Sequence, residues 1–150
     1  MEISPKWNEP AIRVLMMPRD TNAHGTIFGG IILSYIDQAG AIEARRQGCQ
    51  LMVTVSMDKV VFHAPVFVGD LVSFWTETLR IGTTSITTKV TVEAIRANDP
   101  NSRVLVTEAQ VVYVNVGADR KPAAIERRIP TDFGGERASE PEPAVVPQPA

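Results

Sequence analysis

The sequence has few of the residues that disulfides, metal sites and cofactor motifs require. Its 150 residues include one cysteine, Cys49, and two histidines, His24 and His63. A single cysteine excludes an internal disulfide. Neither histidine has a carboxylate at a spacing typical of a metal site. The glycines form neither a G-x-G-x-x-G motif nor a P-loop, and no serine lies in a G-x-S-x-G segment. We therefore expect no metal site, no dinucleotide cofactor and no serine-hydrolase triad.

Charge of one sign and long apolar runs are also scarce. Lys and Arg number 15 against 17 Asp and Glu, which gives a net charge of −2. The basic residues are scattered, so no stripe favours nucleic acid or an anionic membrane as a partner. No segment approaches the roughly 18 apolar residues of a membrane-spanning helix, and the amino end, MEISPKWNEP, lacks the apolar core of a signal peptide. We expect a cytoplasmic location.

The pattern of apolar residues changes its period along the chain. From Phe28 to Gln47 apolar residues recur at helical spacing, and RRQG supplies the cations and glycine typical of a helix end. Afterwards the alternation is that of strands, with a turn predicted at 98–102. Strands are predicted at 11–17, 53–62, 71–81, 83–96 and 103–116. This order indicates an α+β domain at 1–133, with one long helix packed on an antiparallel sheet of about five strands. The proline-rich segment 134–150 is predicted to be a mobile tail.

The start of the predicted helix, DTNAHGTIFGG at 20–30, carries three glycines in six residues. A helix start presents unpaired N–H groups with partial positive charge, and glycines at Gly29 and Gly30 let a carbonyl oxygen approach them. Asp37 follows seven or eight residues later, which is roughly 11 Å along a helix. The two groups are too far apart to act on one carbonyl within a chain, so joint action requires a two-fold interface between subunits.

Each of these features also has a structural interpretation. Asp37 shares a helix flank with Ser34, Gln38 and Arg45, which is compatible with a solvated edge. Glycines before a helix are common turn residues, and Asn22 is as suitable for a helix cap or a turn as for a functional amide. The residues alone leave these alternatives open.

Three segments occur in order between about residues 12 and 125. The first is MPRDTNAHGTIFGG leading into SYIDQAGAI, the second is FHAPVFVGD, and the third is GTTS at 82–85. Together they resemble the hotdog-fold acyl-CoA thioesterases, most closely the YciA-like acyl-CoA hydrolase branch, which is related to the brain-type acyl-CoA hydrolases. The resemblance implies a long helix wrapped by a curved antiparallel sheet.

The resemblance further implies hydrolysis of acyl-CoA to CoA and a free acid, without a metal or redox cofactor. It implies a dimer as the smallest active unit, often assembled as a trimer of dimers, and a role in lipid metabolism. Asp37 matches the family's general base or nucleophile, and Asn22 matches an asparagine of the site. Gly29 and Gly30 match the glycines that open the helix whose amides polarise the thioester.

The resemblance also suggests which residues contact CoA. The turn that matches the family's CoA-binding turn consists of Gly82, Thr83, Thr84 and Ser85. His63 stands where relatives often carry a basic residue, and Lys121 is placed to meet a CoA phosphate, although a solvated turn explains Lys121 equally well. His24 and Thr26 depart from the Asn and Asp of some members, which affects expectations about the substrate more than about the reaction. His24 is an alternative candidate for the catalytic base.

Three other functions are compatible with these residues. The first is hydrolysis of carrier-protein thioesters, and the second is hydration by a hotdog hydratase. Hydratases usually pair a histidine with the aspartate in one segment, and no histidine lies on the predicted helix near Asp37. The third is non-enzymatic binding of acyl-CoA by a hotdog protein.

Overall fold

A computed structural model describes residues 8–126 of the chain. It contains one α-helix, α1, and five β-strands, with a short 3-10 turn at Pro18–Asp20. In chain order the elements are β1 (Ile12–Leu15), α1 (Gly29–Arg46), β2 (Met52–Phe62), β3 (Leu71–Ile81), β4 (Ser85–Arg96) and β5 (Asp99–Asn115). The predicted α+β class and the predicted helix are confirmed. The predicted tail at 134–150 and the end of the predicted domain at 127–133 lie outside the described residues.

The strands form one antiparallel sheet in the order β1-β3-β4-β5-β2. The consecutive strands β3, β4 and β5 are joined in sequence by short hairpins. The strand β2 pairs with β5 at one edge, and β1 pairs with β3 at the other. Strand alternation alone did not predict this order, because both edge pairings join strands that are distant in sequence.

The hairpin between β4 and β5 is tighter than the sequence indicates. Arg96 pairs with Asp99, so only Ala97 and Asn98 form the turn. The predicted turn at 98–102 was therefore wrong in extent, since β5 begins at Asp99 and includes Pro100. A cluster of Asn, Asp and Pro is typical of a loop, but Arg96 pairs with Asp99, and after a register shift the ladder resumes at Ile95 and Arg103. Pairing between the two strands thus outweighs the local preference.

The core lies between α1 and the concave face of the sheet. Ile32, Ile36 and Ala39 form the inward face of the helix and are almost completely buried. They belong to one apolar cluster with buried residues of three strands, which include Val72, Phe74, Val90, Val92, Val106 and Val111. The clean alternation predicted for β4 is confirmed, since every second residue from Ile86 to Ala94 is buried.

A buried carboxylate fastens the last turns of α1 to β3. Glu43 has no solvent exposure, and Oε1 accepts hydrogen bonds from Thr78 Oγ1 at 2.6 Å and Arg46 Nη2 at 2.8 Å. Its Oε2 accepts from Thr76 Oγ1 at 3.1 Å and Arg46 Nε at 3.1 Å. Burial by itself raises the pKa of Glu43, but Arg46, Thr78 and Gln47 outweigh burial and hold that pKa below its ordinary value.

The single cysteine lies directly after α1, where it is buried. The backbone N–H of Cys49 donates to the carbonyl of Ala44 at 3.1 Å, which ties the start of the connection to the helix. Burial raises the pKa of the Cys49 thiol to about 11. A thiol of this kind is inert at neutral pH. Within residues 8–126, no helix has both the length and the apolar character needed to cross a bilayer.

Candidate active site

The start of α1 opens into an apolar cleft. Phe28, the residue before the helix, has extended backbone, and no side chain caps the first turn. The amides of Gly29 and Gly30 therefore have no side-chain acceptor and carry the positive end of the helix dipole. The cleft beside them has a volume of about 290 Å³ and is lined by Ile27, Gly29, Ile32, Phe62, His63, Ala64, Pro65 and Val66. This arrangement suits a carbonyl group attached to an apolar chain.

The glycine at position 30 is required by its neighbour. A Cβ added there would lie 2.7 Å and 3.0 Å from two ring atoms of Phe28, which folds over the first turn. At Gly29 an added Cβ would meet only the Phe62 ring, at 3.7 Å, which is an ordinary contact. The two positions therefore differ, since a side chain at Gly30 would displace the aromatic ring beside the helix start.

A buried ion pair supports the cleft wall at His63–Val66. Asp70 is 1 % exposed, and its Oδ2 accepts from Arg96 Nη1 at 2.5 Å and from the backbone N–H of Phe67 at 2.9 Å. The same Arg96 nitrogen donates to the carbonyl of Pro65 at 3.0 Å. Gly69 adopts a φ of +88°, a conformation for which glycine is preferred. The FHAPVFVGD segment thus shapes one wall of the cleft.

Asn22 closes the loop before the helix. Its Oδ1 accepts the backbone N–H groups of His24 at 2.8 Å and Thr26 at 3.2 Å, and its Nδ2 donates to Thr26 Oγ1 at 2.9 Å. This side chain is therefore a turn former, which is one of the interpretations left open by the sequence. The amide nitrogen carries two hydrogens, and the bond to Thr26 uses one of them. His24 itself is exposed.

Asp37 is half-buried in the middle of α1, against the edge of the sheet formed by β2 and β5. Its Oδ1 accepts a hydrogen bond from Thr54 Oγ1 at 2.8 Å and a longer one from the Tyr113 hydroxyl at 3.3 Å. Thr54 and Tyr113 are directly opposite each other on the two strands. The second oxygen, Oδ2, accepts no hydrogen bond from the described residues. Asp37 is thus a carboxylate anchored through one oxygen, while the other accepts no hydrogen bond from residues 8–126.

The predicted CoA-binding turn lies at the end of the sheet where β3 meets β4. It is closed by a hydrogen bond from the Gly82 N–H to the Ser85 carbonyl at 2.8 Å. The segment after β5 folds back beside it, because the N–H of Ile125 donates to the Thr83 carbonyl at 2.9 Å. Lys121 belongs to this segment and is exposed. The structure thus brings the segment that contains Lys121 next to the 82–85 turn.

The predicted site residues lie at two separate places in the fold of one chain. Phe62, at the cleft, is opposite Thr107, whereas Thr54, at Asp37, is opposite Tyr113. The two pairs are six positions apart on β5, a distance of roughly 20 Å along a strand. Asp37 and the 82–85 turn are close in the ladder, since Tyr113 pairs with Ile86. Gly29 and His63 are at the cleft, so a single chain does not unite all the candidate residues.

Sequence reasoning missed Thr54 and Tyr113 as neighbours of Asp37. The register of β2 against β5 decides both contacts, and it cannot be read from one sequence. A weak signal existed for Tyr113, since it follows Ala109 and Val111 at alternate positions of β5, where a buried hydroxyl needs a partner. Among residues 8–126, no three His, Cys, Asp or Glu side chains cluster so as to hold a metal ion.

Comparison with known proteins places the chain among thioester hydrolases. The profile of the thioesterase superfamily matches residues 24–98. The acyl-CoA thioester hydrolase YciA of Salmonella typhimurium is 40 % identical over 124 residues, which cover 81 % of this chain and 92 % of YciA.

Solved structures give the same result. The hexameric hotdog-fold thioesterase of Campylobacter jejuni superimposes with a TM-score of 0.74 at 46 % identity, over 79 % of this chain and 91 % of its own. HI0827, a hexameric broad-specificity acyl-coenzyme A thioesterase, superimposes with a TM-score of 0.74 at 35 % identity, over 83 % and 85 % of the two chains. The hotdog fold expected from the sequence motifs is confirmed.

Proposed function

Because the chain belongs to the thioesterase superfamily, we propose that it hydrolyses acyl-CoA to CoA and a carboxylic acid at a site that combines Asp37 with the start of α1. The observation that carries the assignment of the site is the uncapped helix start beside an apolar cleft. Its amides provide donors for a thioester oxygen, and the cleft accommodates the first part of an acyl chain. The reaction needs no cofactor, and the protein acts in the cytoplasm.

The helix start acts on the charge that develops during the reaction. As the thioester carbon is attacked, its carbonyl oxygen gains negative charge, and the N–H groups of Gly29 and Gly30 donate to that oxygen. Removal of one such donor in known enzymes costs about 2.7–4 kcal/mol of transition-state stabilisation. Asn22 lies in the loop that leads into this turn, and its second Nδ2 hydrogen provides a further donor.

Asp37 supplies the attacking group by one of two routes. As a general base it takes a proton from water, the resulting hydroxide adds to the carbonyl, and the C–S bond breaks to release CoA thiolate, which then takes up a proton. As a nucleophile its carboxylate displaces CoA thiolate and forms an anhydride that water hydrolyses. Both routes use an oxygen without another partner, and Oδ2 meets that requirement.

The separation of the candidate residues supports a site shared between two subunits. The cleft and helix start of one chain would face Asp37 and the 82–85 turn of its partner, with Gly82, Thr83, Thr84, Ser85, His63 and Lys121 contacting CoA. The strand β2 is an edge of the sheet, and it exposes Val53, Val55 and Val61. An apolar edge strand is well suited to pairing with a second copy. By analogy with its hexameric relatives, the chain forms a trimer of dimers.

The environment of Asp37 favours hydrolysis over hydration. The described side chains that hydrogen-bond its carboxylate are Thr54 and Tyr113, with no histidine among them. A hydratase of the usual hotdog type pairs its aspartate with a histidine, so this arrangement lacks the second acid-base group.

The proposed reaction is tested by measuring thiol release from acyl-CoA with chains from acetyl to palmitoyl. We expect catalytic release of CoA, with a preference for one range of chain lengths set by the apolar cleft. An acyl carrier protein loaded with the same acyl groups and an enoyl-CoA serve as comparison substrates. A folded, oligomeric protein that releases no CoA from any acyl-CoA would contradict the proposal, as would faster reaction with either comparison substrate.

The shared site is tested by co-expression of two inactive variants. Asp37→Ala removes the carboxylate, and Ala64→Phe fills the cleft, which is lined by Ala64. We expect mixed oligomers to regain activity well above either variant alone, because one of the two sites in a mixed dimer has an intact cleft and an intact Asp37. Co-expression of two differently tagged Asp37→Ala chains is the control. Mixed oligomers as inactive as their parents would place the complete site in a single chain.

A further inference from the structure

The hydroxyl of Tyr113 contacts α1 at the residue that carries the candidate catalytic carboxylate. Tyr113 is 1 % exposed, and its hydroxyl donates to the main-chain carbonyl of Asp37 at 2.6 Å. The same oxygen lies 3.3 Å from Asp37 Oδ1, and the backbone N–H of Ala41 also faces it. In a regular helix the Asp37 carbonyl would accept from the Ala41 N–H. The tyrosine hydroxyl therefore contacts the Asp37 carbonyl and the Ala41 N–H, which are partners in one helical hydrogen bond, and it also lies near the Asp37 carboxylate.

A glycine in the helix makes room for this contact. Gly40 lies one turn after Asp37, and a Cβ added there would overlap the Tyr113 hydroxyl and lie 2.9 Å from Thr88 Oγ1. Glycine in the interior of a helix is unfavourable, so its presence here indicates a need for close approach. The helix and β5 thus meet at the level of Asp37.

The neighbouring strand β2 of the same chain contributes a second contact to the Asp37 carboxylate. Thr54 is directly opposite Tyr113 in the ladder between β2 and β5, and its hydroxyl donates to the same oxygen, Oδ1, at 2.8 Å. The register is interrupted immediately afterwards, between Thr54 and Ser56. One cross-strand pair therefore holds one oxygen of the carboxylate from two sides.

We propose that Tyr113 is a positioning residue for hydrolysis, which fixes the backbone and Oδ1 of Asp37 so that Oδ2 points toward the substrate. This inference rests on the proposed function of Asp37. Tyr113 holds one turn of the helix in place, and Gly40 permits the contact. A reacting group displaced by about 1 Å can lose about 100-fold in rate, so the contact matters for kcat rather than for binding.

Tyr113 acts as a fixed donor and takes no part in proton transfer. Burial raises the pKa of Tyr113 well above its ordinary value, and the charge and hydrogen bond of Asp37 raise it further. The phenol therefore stays protonated at every pH at which the enzyme is assayed.

The test is Tyr113→Phe, which removes only the hydroxyl. We expect kcat for acyl-CoA to fall about 10- to 100-fold, with KM changed less than about 2-fold. The matched control is Tyr35→Phe, since Tyr35 is the only other tyrosine, and its ring packs against Phe74 with 5.5 Å between the centroids. The control should keep wild-type kcat.

A double-mutant cycle separates positioning from a general structural role. In an Asp37→Asn background, we expect Tyr113→Phe to have little further effect on residual turnover, because it acts through Asp37. A full additional loss in that background would overturn the inference, as would a Tyr113→Phe enzyme with wild-type kcat. A wild-type protein without any acyl-CoA hydrolysis would overturn the proposed function first and this inference with it.

A second variant covers the case in which Tyr113→Phe does not fold. Gly40→Ala leaves Tyr113 intact but forces its hydroxyl away from Asp37. We expect a loss of kcat of the same order, again with KM little changed. A folded Gly40→Ala enzyme with wild-type kcat would contradict the proposed role of the contact.

Discussion

Replacement of Asp37 by asparagine is expected to lower kcat for acyl-CoA hydrolysis at least about 100-fold, the scale on which a general acid or base contributes. The amide keeps the size of the side chain and can still accept from Thr54 at Oδ1. Its nitrogen at the other position can neither take a proton from water nor attack a thioester. The measurement is the steady-state rate of CoA release, together with the oligomeric state by light scattering.

A matched substitution controls for the loss of a negative charge. Asp99 is exposed at the start of β5, at the hairpin with β4, and its Oδ1 accepts the backbone N–H of Asn101. Asp99→Asn should leave kcat within about 2-fold of wild type, because a surface substitution of this kind changes little. A folded Asp37→Asn protein with turnover near wild type would exclude Asp37 from the chemistry and make His24 the next candidate for a base.

Replacement of Glu43 by alanine is expected to lower the free energy of unfolding by about 3–5 kcal/mol, as when one partner of a buried ion pair is removed. The guanidinium of Arg46, whose side chain is 6 % exposed, would lose its carboxylate while still buried. The hydroxyls of Thr76 and Thr78 would lose their acceptor as well. Urea unfolding at one fixed protein concentration measures the change, since oligomer stability depends on concentration.

The control for this prediction is an ion pair near the surface. Glu108 Oε1 lies 3.1 Å from Lys89 Nζ on the outer face of the sheet, and both side chains are about one-third exposed. Glu108→Ala should cost less than about 1 kcal/mol, because solvent screens such a pair. Equal losses for the two variants would show that burial does not set the contribution of Glu43.

The same carboxylate makes stability depend on pH in one direction. Since the pKa of Glu43 is lowered in the folded protein, the unfolded chain takes up its proton at higher pH than the folded chain does. The stabilisation is therefore complete above the ordinary glutamate pKa of about 4.3. It is lost as pH falls through that value toward the lower folded pKa. The Glu43→Ala protein should show a shallower loss of stability in acid than wild type.

The sequence predicted the elements better than their arrangement. The helical period identified α1 to within one residue at each end, because apolar spacing and the terminal cations agree. The alternation of residues in β4 identified its buried face, because every second residue from Ile86 to Ala94 points into the core. The position of β2 at the edge beside β5 depends on long-range pairing, which leaves no mark in local spacing. The start of β5 was mispredicted because residues 98–102 have the composition of a turn.

The residues of the candidate site also fall into two groups, those that the sequence could identify and those that it could not. Gly29, Gly30 and Asp37 could be selected from chemistry and helix geometry, and the distance between them already indicated a second subunit. Thr54 and Tyr113 could not, since they meet Asp37 only through the register of β2 and β5. Glu43 gave no sign of burial, because a glutamate followed by two arginines near a helix end usually lies on a solvated surface.

The burial of Cys49 determines what a thiol reagent reports in this protein. Because burial raises the pKa of this thiol to about 11, almost all of it is protonated at pH 8, and the folded chain shields it from the reagent. The same reagent that detects CoA within seconds would therefore modify the protein only when the segment around Cys49 opens. In the absence of substrate, the slow modification rate of this one sulfur measures how often that region opens. A single reagent would thus record turnover and local unfolding on two separate time scales.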